Sequence, residues 1–113
     1  METCKSEYKK VIYISHPYGG KNENLEKVYQ AAKYLVQKYP DYLFISPIHC
    51  FGFLYDTVDY KQGIEYCLWL FDKCDSMWVF GDYKKSVGCM TEIEYCEECN
   101  IPYEIREEMY AGC

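Results

Sequence analysis

The feature that most constrains the fold is the alternation of short β-rich runs with longer helical patterns. Residues 11–15 form a β-branched and aromatic run, and the Pro/Gly-containing stretch after them cannot easily continue a strand or a helix. Apolar residues then recur at helical spacing over 25–36, with Asn22 or Asn24 as the expected cap. A second apolar run at 42–46 predicts a buried strand. This strand, helix, strand order predicts a right-handed parallel crossover.

The rest of the chain continues the same alternation. Residues 48–58 mix polar and aromatic character and are expected to form a binding loop or a short helix. A helix follows the expected cap Asp59, and the continuous apolar run at 77–80 predicts a strand covered on both faces. A last long helix is predicted over 87–99, closed by Asn100 as its C-cap.

These elements predict an α/β fold. We expect a three-layer α/β/α sandwich around a mainly parallel sheet of four to five strands, of the Rossmann or flavodoxin type. The short run at 103–105 is expected at an edge of that sheet. A chain of 113 residues has room for one domain, which we assign to residues 1–106, and 107–113 are expected to form a frayed C-terminal tail.

The charge and the apolar runs of the chain limit which partners and which location are expected. A formal net charge of -6 argues against binding to a nucleic acid polymer or to an anionic membrane, since both would be repelled. No apolar run approaches the roughly 20 residues of a membrane span, and the first residues lack the apolar core of a signal peptide. We therefore expect a cytoplasmic protein. The Gly-rich motifs of dinucleotide and P-loop binding are absent, so no cofactor is expected.

The eight cysteines are expected to be reduced thiols, because they are scattered through apolar patterns. Cys96 and Cys99 have CxxC spacing, but they lie in a helical pattern with no second pair or suitably spaced histidine. No metal site is expected there. The flanking acids would raise a thiol pKa rather than lower it, which disfavours redox activity.

Three loops leave the carboxyl ends of the predicted parallel strands, at 16–20, 47–53 and 81–88, and these loops should meet in space. Gly19 and Gly20 would let backbone amides approach a ligand such as phosphate, although a plain turn is the alternative interpretation.

The junction Ser86-x-Gly88-x-x-x-Glu92 carries the strongest chemical signal. An acid in the first turn of a helix is favoured by the helix dipole alone. Here, however, a hydroxyl and a glycine precede it at the end of a strand-to-helix loop. This arrangement could place the Glu92 carboxylate against a sugar carbon while Ser86 holds phosphate, so that Glu92 acts as a nucleophile and forms a covalent glycosyl intermediate.

The order of these motifs resembles the nucleoside 2-deoxyribosyltransferase superfamily over about residues 10–105. Within it, the chain is most similar to small uncharacterised domains of bacterial and phage proteins, of the DUF4406 and DUF7768 types. The resemblance rests on the strand at 11–15, the Pro/Gly loop, Lys73-Cys74-Asp75, Trp78-Val79-Phe80-Gly81 and the Ser86 to Glu92 junction. It implies that Glu92 attacks the anomeric carbon of a 2-deoxyribonucleoside or its monophosphate and releases the base. It also implies that Tyr13 orients that glutamate.

The resemblance also bears on the substrate. Transferases for free nucleosides carry an aspartate where Ser86 stands, whereas the nucleotide N-glycosidase branch carries a serine. A carboxylate would repel a 5′-phosphate that a hydroxyl can hydrogen-bond, so a nucleoside monophosphate or related nucleotide is the expected ligand. The residues expected to bind it are His16, Pro17, Gly19, Gly20, His49, Ser86 and Gly88.

Two positions depart from the superfamily pattern. Its members usually have an aspartate that orients the substrate or protonates the departing base, and the matching residue here is Cys67. His16 stands where a small residue, usually glycine, is common. His16 or His49 could supply the missing acid, although a surface or structural histidine is the favoured interpretation for each. Asp82 and Asp72 are further candidates.

Three functions remain open from the sequence. The first is a nucleotide-directed N-glycosidase or 2-deoxyribosyltransferase-like enzyme. The second is a catalytically impaired nucleotide-binding protein that senses or sequesters a nucleotide-derived signal, and the third is an interaction domain without a ligand. A homo-oligomer, dimer or higher, is expected because neighbouring subunits often complete the pocket in the superfamily. Aromatic loop residues could stack on a base or form that contact: Tyr18, Phe51, Phe53, Tyr55 and Tyr83.

Overall fold

The centre of the molecule is a parallel sheet, seen in a computed structural model that describes residues 9–51 and 57–106. Its four strands are β1 (Lys10–Ser15), β2 (Tyr42–Ile45), β3 (Ser76–Val79) and β4 (Tyr103–Ile105). They lie in the order β2-β1-β3-β4, and every neighbouring pair is parallel. The predicted α/β class and parallel sheet are confirmed.

Helices cover both faces of this sheet, which gives the three layers that the alternation predicted. They are α1 (Asn22–Lys38), the short α2 (Pro47–Phe51), α3 (Tyr60–Phe71) and α4 (Val87–Cys99), with a 3₁₀ turn at Tyr83–Lys85 before α4. Among the described residues no helix is both long enough and apolar enough to cross a membrane.

Two hydrophobic cores lie on opposite faces of the sheet, because successive strand residues point to opposite sides. One core joins strand residues to α1 and α2, and its buried members are Ile12, Ile14, Val28, Leu35, Ile48, Trp78 and Phe80. The other joins the strands to α3 and α4 through Tyr13, Phe71, Met77, Val79, Ile93 and Cys96. β3 is buried along its whole length, as its continuous apolar run predicted.

The prediction of a buried second strand is wrong. β2 lies at the end of the strand order and pairs with β1 alone in the described sheet. Its residues are only partly buried, and Leu43 is 45% exposed. An apolar run does not distinguish a central strand from an edge strand, because that difference depends on which strands flank it in space.

Helix boundaries follow local capping chemistry where a side chain provides it. Asp59 accepts a hydrogen bond from the backbone N–H of Gln62 at 2.8 Å and caps α3 as predicted. Asn100 closes α4 in the left-handed conformation with φ 57°, also as predicted. The cap predicted for α1 is wrong, since Lys21 holds that position without a side-chain hydrogen bond. Asn24 lies inside the helix and its Nδ2 donates to the Tyr18 carbonyl at 3.0 Å.

The segment after β2 begins with a short helix, which is one of the two alternatives expected for it. Pro47 starts α2, consistent with the preference of proline for the first helical position. The predictions for Phe53 and Tyr55, and for the tail at 107–113, lie outside the described residues.

Candidate functional site

The candidate site is a cavity at the carboxyl edge of the sheet, between the ends of β1 and β3. The chain leaves β1 toward α1 on one face and leaves β3 toward α4 on the other, so the two connections diverge and leave a crevice. The cavity has a volume of about 1210 Å³. It is lined by the loop after β1, by parts of α2 and α3, and by the segment from Gly81 to Glu92.

Glu92 reaches this cavity from an unexpected position. It is the sixth residue of α4, in the second helical turn, so the first-turn dipole explanation for this acid is wrong. The residues of α4 that face the sheet are Cys89, Glu92, Ile93 and Cys96, at helical spacing. Glu92 therefore occupies a position on an otherwise apolar stripe, and it is only 6% exposed. A buried acid in that place is a candidate functional residue, since its burial opposes stability.

Two hydroxyl groups of β1 hold the carboxylate. The Tyr13 hydroxyl donates to Oε2 of Glu92 at 2.5 Å, and Ser15 Oγ donates to Oε1 at 2.7 Å. Tyr13 and Ser15 are two residues apart on one strand, so both point to the same face of the sheet. Both are almost completely buried. The carboxylate is thus fixed on both oxygens from the sheet side while it lines the cavity on the other.

Burial and hydrogen bonding act in opposite directions on Glu92. Burial raises the pKa of Glu92 above its ordinary value, while the hydrogen bonds from Tyr13 and Ser15 lower it. The pKa of Tyr13 is raised well above 10, first by burial and then by the nearby Glu92 charge. Tyr13 therefore keeps its proton at neutral pH and remains a donor.

Cys67 lines the same cavity from α3, next to the Tyr13 and Glu92 pair. Burial and the Glu92 charge raise the pKa of its thiol to about 11, although the Tyr13 side chain opposes the shift. Cys89 also lines the cavity, and burial raises the pKa of its thiol to about 11. Both thiols are protonated at neutral pH and are poor nucleophiles.

His16 lies at the end of β1 and is 8% exposed. Its Nδ1 is 2.6 Å from the Pro17 carbonyl oxygen, which can only accept, so Nδ1 carries the proton. Burial lowers the pKa of His16, which favours the neutral ring. The ring also packs against Gly81, where φ is +73° and an added Cβ would lie 3.1 Å from Pro17 Cδ and 3.3 Å from His16 Nε2. Only glycine fits that turn.

Ser86 and Gly88 lie where the chain enters α4, and both line the cavity. Ser86 is the N-cap, and its Oγ accepts a hydrogen bond from the Cys89 N–H at 3.2 Å. The first backbone N–H groups of α4 therefore lie at this end of the cavity, where a helix attracts anions.

Of the other predicted binding residues, two line the cavity and two do not. Pro17 and Gly19 line the cavity, and Gly19 and Gly20 both have positive φ, as the tight turn requires. Gly20 is exposed and is not among the lining residues. His49 also lies outside the lining, where its Nδ1 is 2.8 Å from Ser46 Oγ.

A family model with the description "Domain of unknown function (DUF7768)" matches residues 10–106. The chain belongs to this DUF7768 family. The matched range begins at the first residue of β1 and extends past β4, so it contains the whole described sheet and the Glu92 site. A search of curated proteins found no match to the sequence.

In this DUF7768 domain, the two aspartates considered as acids have different places. Asp82 lines the cavity but is exposed and forms an ion pair with Lys85 at 3.4 Å. Asp72 lies at the end of α3 and accepts a hydrogen bond from the Tyr95 hydroxyl at 2.6 Å. Asp75 has a structural contact with β1, since its Oδ2 accepts a hydrogen bond from the Val11 N–H at 2.7 Å.

Sequence reasoning missed Ser15, which holds the Glu92 carboxylate, and three lysines that line the cavity. Ser15 could have been found, because it lies two residues after Tyr13 on a strand and must share its face. Lys21, Lys27 and Lys85 also line the cavity, together with the carboxyl groups of Glu23, Asp59, Asp82 and Glu92. No local pattern marks these lysines, since they come from α1, its preceding residue and the turn before α4.

Proposed function

We propose that this domain cleaves the N-glycosidic bond of a nucleoside monophosphate, with Glu92 as the nucleophile. The observation that carries this proposal is a buried carboxylate with both oxygens hydrogen-bonded by Tyr13 and Ser15 at the wall of a ligand-sized cavity. Such fixed geometry suits attack on an electrophilic carbon, because the reacting oxygen is oriented before the substrate arrives. The resemblance to the 2-deoxyribosyltransferase superfamily supports the same role for Glu92.

The reaction would proceed in two steps. A Glu92 oxygen attacks the anomeric carbon, and the bond from that carbon to the base breaks with its electron pair leaving on the base nitrogen. Water, or the base of a second nucleotide, then attacks the same carbon and releases the Glu92 carboxylate. The proton that this nucleophile loses balances the proton that the departed base takes up. The two hydroxyl groups remain bound to the carboxylate in this scheme, so they orient it throughout.

The phosphate would lie at the α4 end of the cavity. Ser86 supplies a hydroxyl there, and the neighbouring backbone N–H groups supply positive partial charge. Lys21 and Lys85 line the same cavity and can neutralise a phosphate dianion. In a chain with a net charge of -6, these few separate donors and lysines favour a small anion over a polyanion.

A second candidate is a nucleotide-binding protein with little or no turnover. The observation that favours it is Cys67, a thiol at the cavity wall beside Tyr13 and Glu92 where an acid would assist departure of the base. The cavity and its lysines would then hold a nucleotide-derived signal without cleaving it.

Base release distinguishes these candidates. The protein is incubated with a panel of deoxynucleoside and ribonucleoside monophosphates, and free base is followed by chromatography. Glu92→Gln is compared with Glu94→Gln, a matched control at an exposed position on the same helix. We expect Glu92→Gln to reduce base release by at least about 10³-fold and Glu94→Gln to leave it unchanged.

Three results would contradict part or all of the proposal. Base release that survives Glu92→Gln excludes Glu92 as the nucleophile. If no base appears but a nucleotide raises the melting temperature, the domain is a binding protein. Neither base release nor a thermal shift with any nucleotide would reject both candidates.

A further inference from the structure

In the part of the chain that the structure describes, no cationic side chain forms an ion pair with the Glu92 carboxylate. Within 9–51 and 57–106, its hydrogen-bond partners are the hydroxyls of Tyr13 and Ser15, and no Lys or Arg forms an ion pair with it. A buried carboxylate held only by neutral donors leaves negative potential at the cavity wall. That potential favours a ligand with positive charge at the point nearest Glu92.

The described groups nearest Glu92 are also unsuited to protonate a departing base. Cys67 and Cys89 are thiols whose pKa is about 11, far above the range in which a general acid works well near neutrality. His16 has a lowered pKa, and its Nδ1 proton is directed at the Pro17 carbonyl.

The other carboxyl groups that line the cavity are exposed: Glu23, Asp59 and Asp82. Asp59 caps α3 and Asp82 pairs with Lys85. Among the described residues, none of these groups is therefore placed to protonate a departing neutral purine or pyrimidine.

Together, the uncompensated carboxylate and the lack of a suitably placed acid among the described residues point to one substrate class. We propose that the site takes nucleoside monophosphates whose base already carries a positive charge, such as a pyridinium or an N7-alkylated purine. This inference rests on the proposed function and goes beyond it by naming the substrate. A cationic ring binds next to Glu92 and departs as a neutral molecule.

The step balances without a protein acid. A Glu92 oxygen forms a bond to the anomeric carbon, and the bond to the ring nitrogen breaks with its electron pair going to that nitrogen. The pair cancels the positive charge of the ring, so no proton is needed for departure. Water then attacks the anomeric carbon, which releases sugar 5-phosphate, the Glu92 carboxylate and one proton to solvent.

Matched substrate pairs test the inference in the wild-type protein. One pair is nicotinamide mononucleotide and its dihydro form, which has a neutral ring of nearly the same size. The other is N7-methyl-2′-deoxyguanosine 5′-monophosphate and dGMP. Each rate is divided by the uncatalysed rate of the same compound. In at least one pair, we expect the corrected kcat/KM to be at least about 100-fold higher for the cationic member, since general acid catalysis is worth that much or more.

A substitution at Cys67 provides a second measurement. Cys67→Asp places an acid beside Glu92 and is expected to raise the cleavage rate of the neutral member by at least about tenfold. The ratio of kcat/KM between the cationic and the neutral member then becomes smaller. Cys67→Ser, of similar size without an acid, is expected to keep the wild-type ratio. Calorimetry measures the affinity of each pair for Glu92→Gln and for the wild-type protein. The preference for the cationic member should be smaller in Glu92→Gln, because the negative charge has been removed.

The failures are distinguishable. If neutral members are cleaved within about threefold of the cationic ones after correction, and Glu92→Gln abolishes both, the substrate inference is wrong and the proposed function stands. If wild-type protein cleaves neither member of either pair nor any nucleotide of the wider panel, both are wrong. The two pairs also distinguish a pyridinium from an alkylated purine.

Discussion

The Glu92 side chain occupies a position on α4 where the neighbouring sheet-facing residues are apolar. Its carboxylate is buried, and the hydroxyls of Tyr13 and Ser15 compensate only part of the loss of water. The pKa of Glu92 is therefore higher in the folded chain than in the unfolded chain, where the pKa of a glutamate is about 4.3. Between those two pKa values the unfolded chain loses its proton first, so the free energy of unfolding falls as pH rises.

Glu92→Gln should consequently stabilise the fold at neutral pH. The amide can accept from Tyr13 and donate to Ser15 without a charge to desolvate. We expect wild type and variant to be similar at pH values below about 4, with the variant increasingly more stable as pH rises through the folded-state pKa. Urea unfolding at a series of pH values measures this, with Glu94→Gln as the control. A variant that is less stable than wild type at pH 8 would contradict the account.

The start of α4 combines a structural and a binding role in one element. Ser86 caps the helix through the Cys89 N–H and also lines the cavity, so its removal affects both. Aspartate caps helices about as well as serine, but it adds a negative charge at the place proposed for phosphate. Substitution at this one position can therefore separate capping from binding.

We expect Ser86→Ala to lower the free energy of unfolding by about 1 kcal/mol, because the Cys89 N–H loses its acceptor. Ser86→Asp should keep near wild-type stability but weaken the affinity for a nucleoside monophosphate by about tenfold or more, from charge repulsion. Urea unfolding and calorimetric binding measure the two effects. Equal monophosphate affinity in Ser86→Asp and wild type would place the phosphate elsewhere.

At the scale of the whole molecule, Arg106 links separate elements on the α1 side of the sheet. It is the last residue that the structure describes. Its guanidinium lies 3.9 Å from the Trp78 ring centroid, and Nη2 donates to the Tyr39 hydroxyl at 2.8 Å. Nη1 also pairs with Glu104 at 2.8 Å. Arg106 thus connects the end of β4 with a central strand and with the end of α1.

Arg106→Ala should lower the free energy of unfolding by about 1–2 kcal/mol, since the stacking on Trp78 and the covering of that ring are both lost. Arg106→Lys should recover only part of this loss, because an ammonium cannot stack as a plane or donate in the same geometry. Urea unfolding measures both, with the exposed Lys73→Ala as a control for charge. If Arg106→Lys matches wild type, charge alone explains the contribution.

The sequence by itself determined the elements and the position of the strongest candidate. The bounds of α4, its Asn100 cap, the Asp59 cap and the buried β3 all depend on residues close together in the chain. Local spacing and capping are sufficient for such features. The order of strands and helices likewise determined the α/β class, because parallel strands need crossover helices.

The tertiary structure alone decided how Glu92 is held and what surrounds it. The hydrogen bonds from Tyr13 and Ser15 join residues 79 and 77 positions apart, and no local pattern specifies which hydroxyl meets which carboxylate. The same reason explains the edge position of β2 and the placement of Cys67 at the cavity wall. Burial, which sets the direction of the Glu92 pKa, comes from the packing of α4 on the sheet and so appears only when the chain is folded.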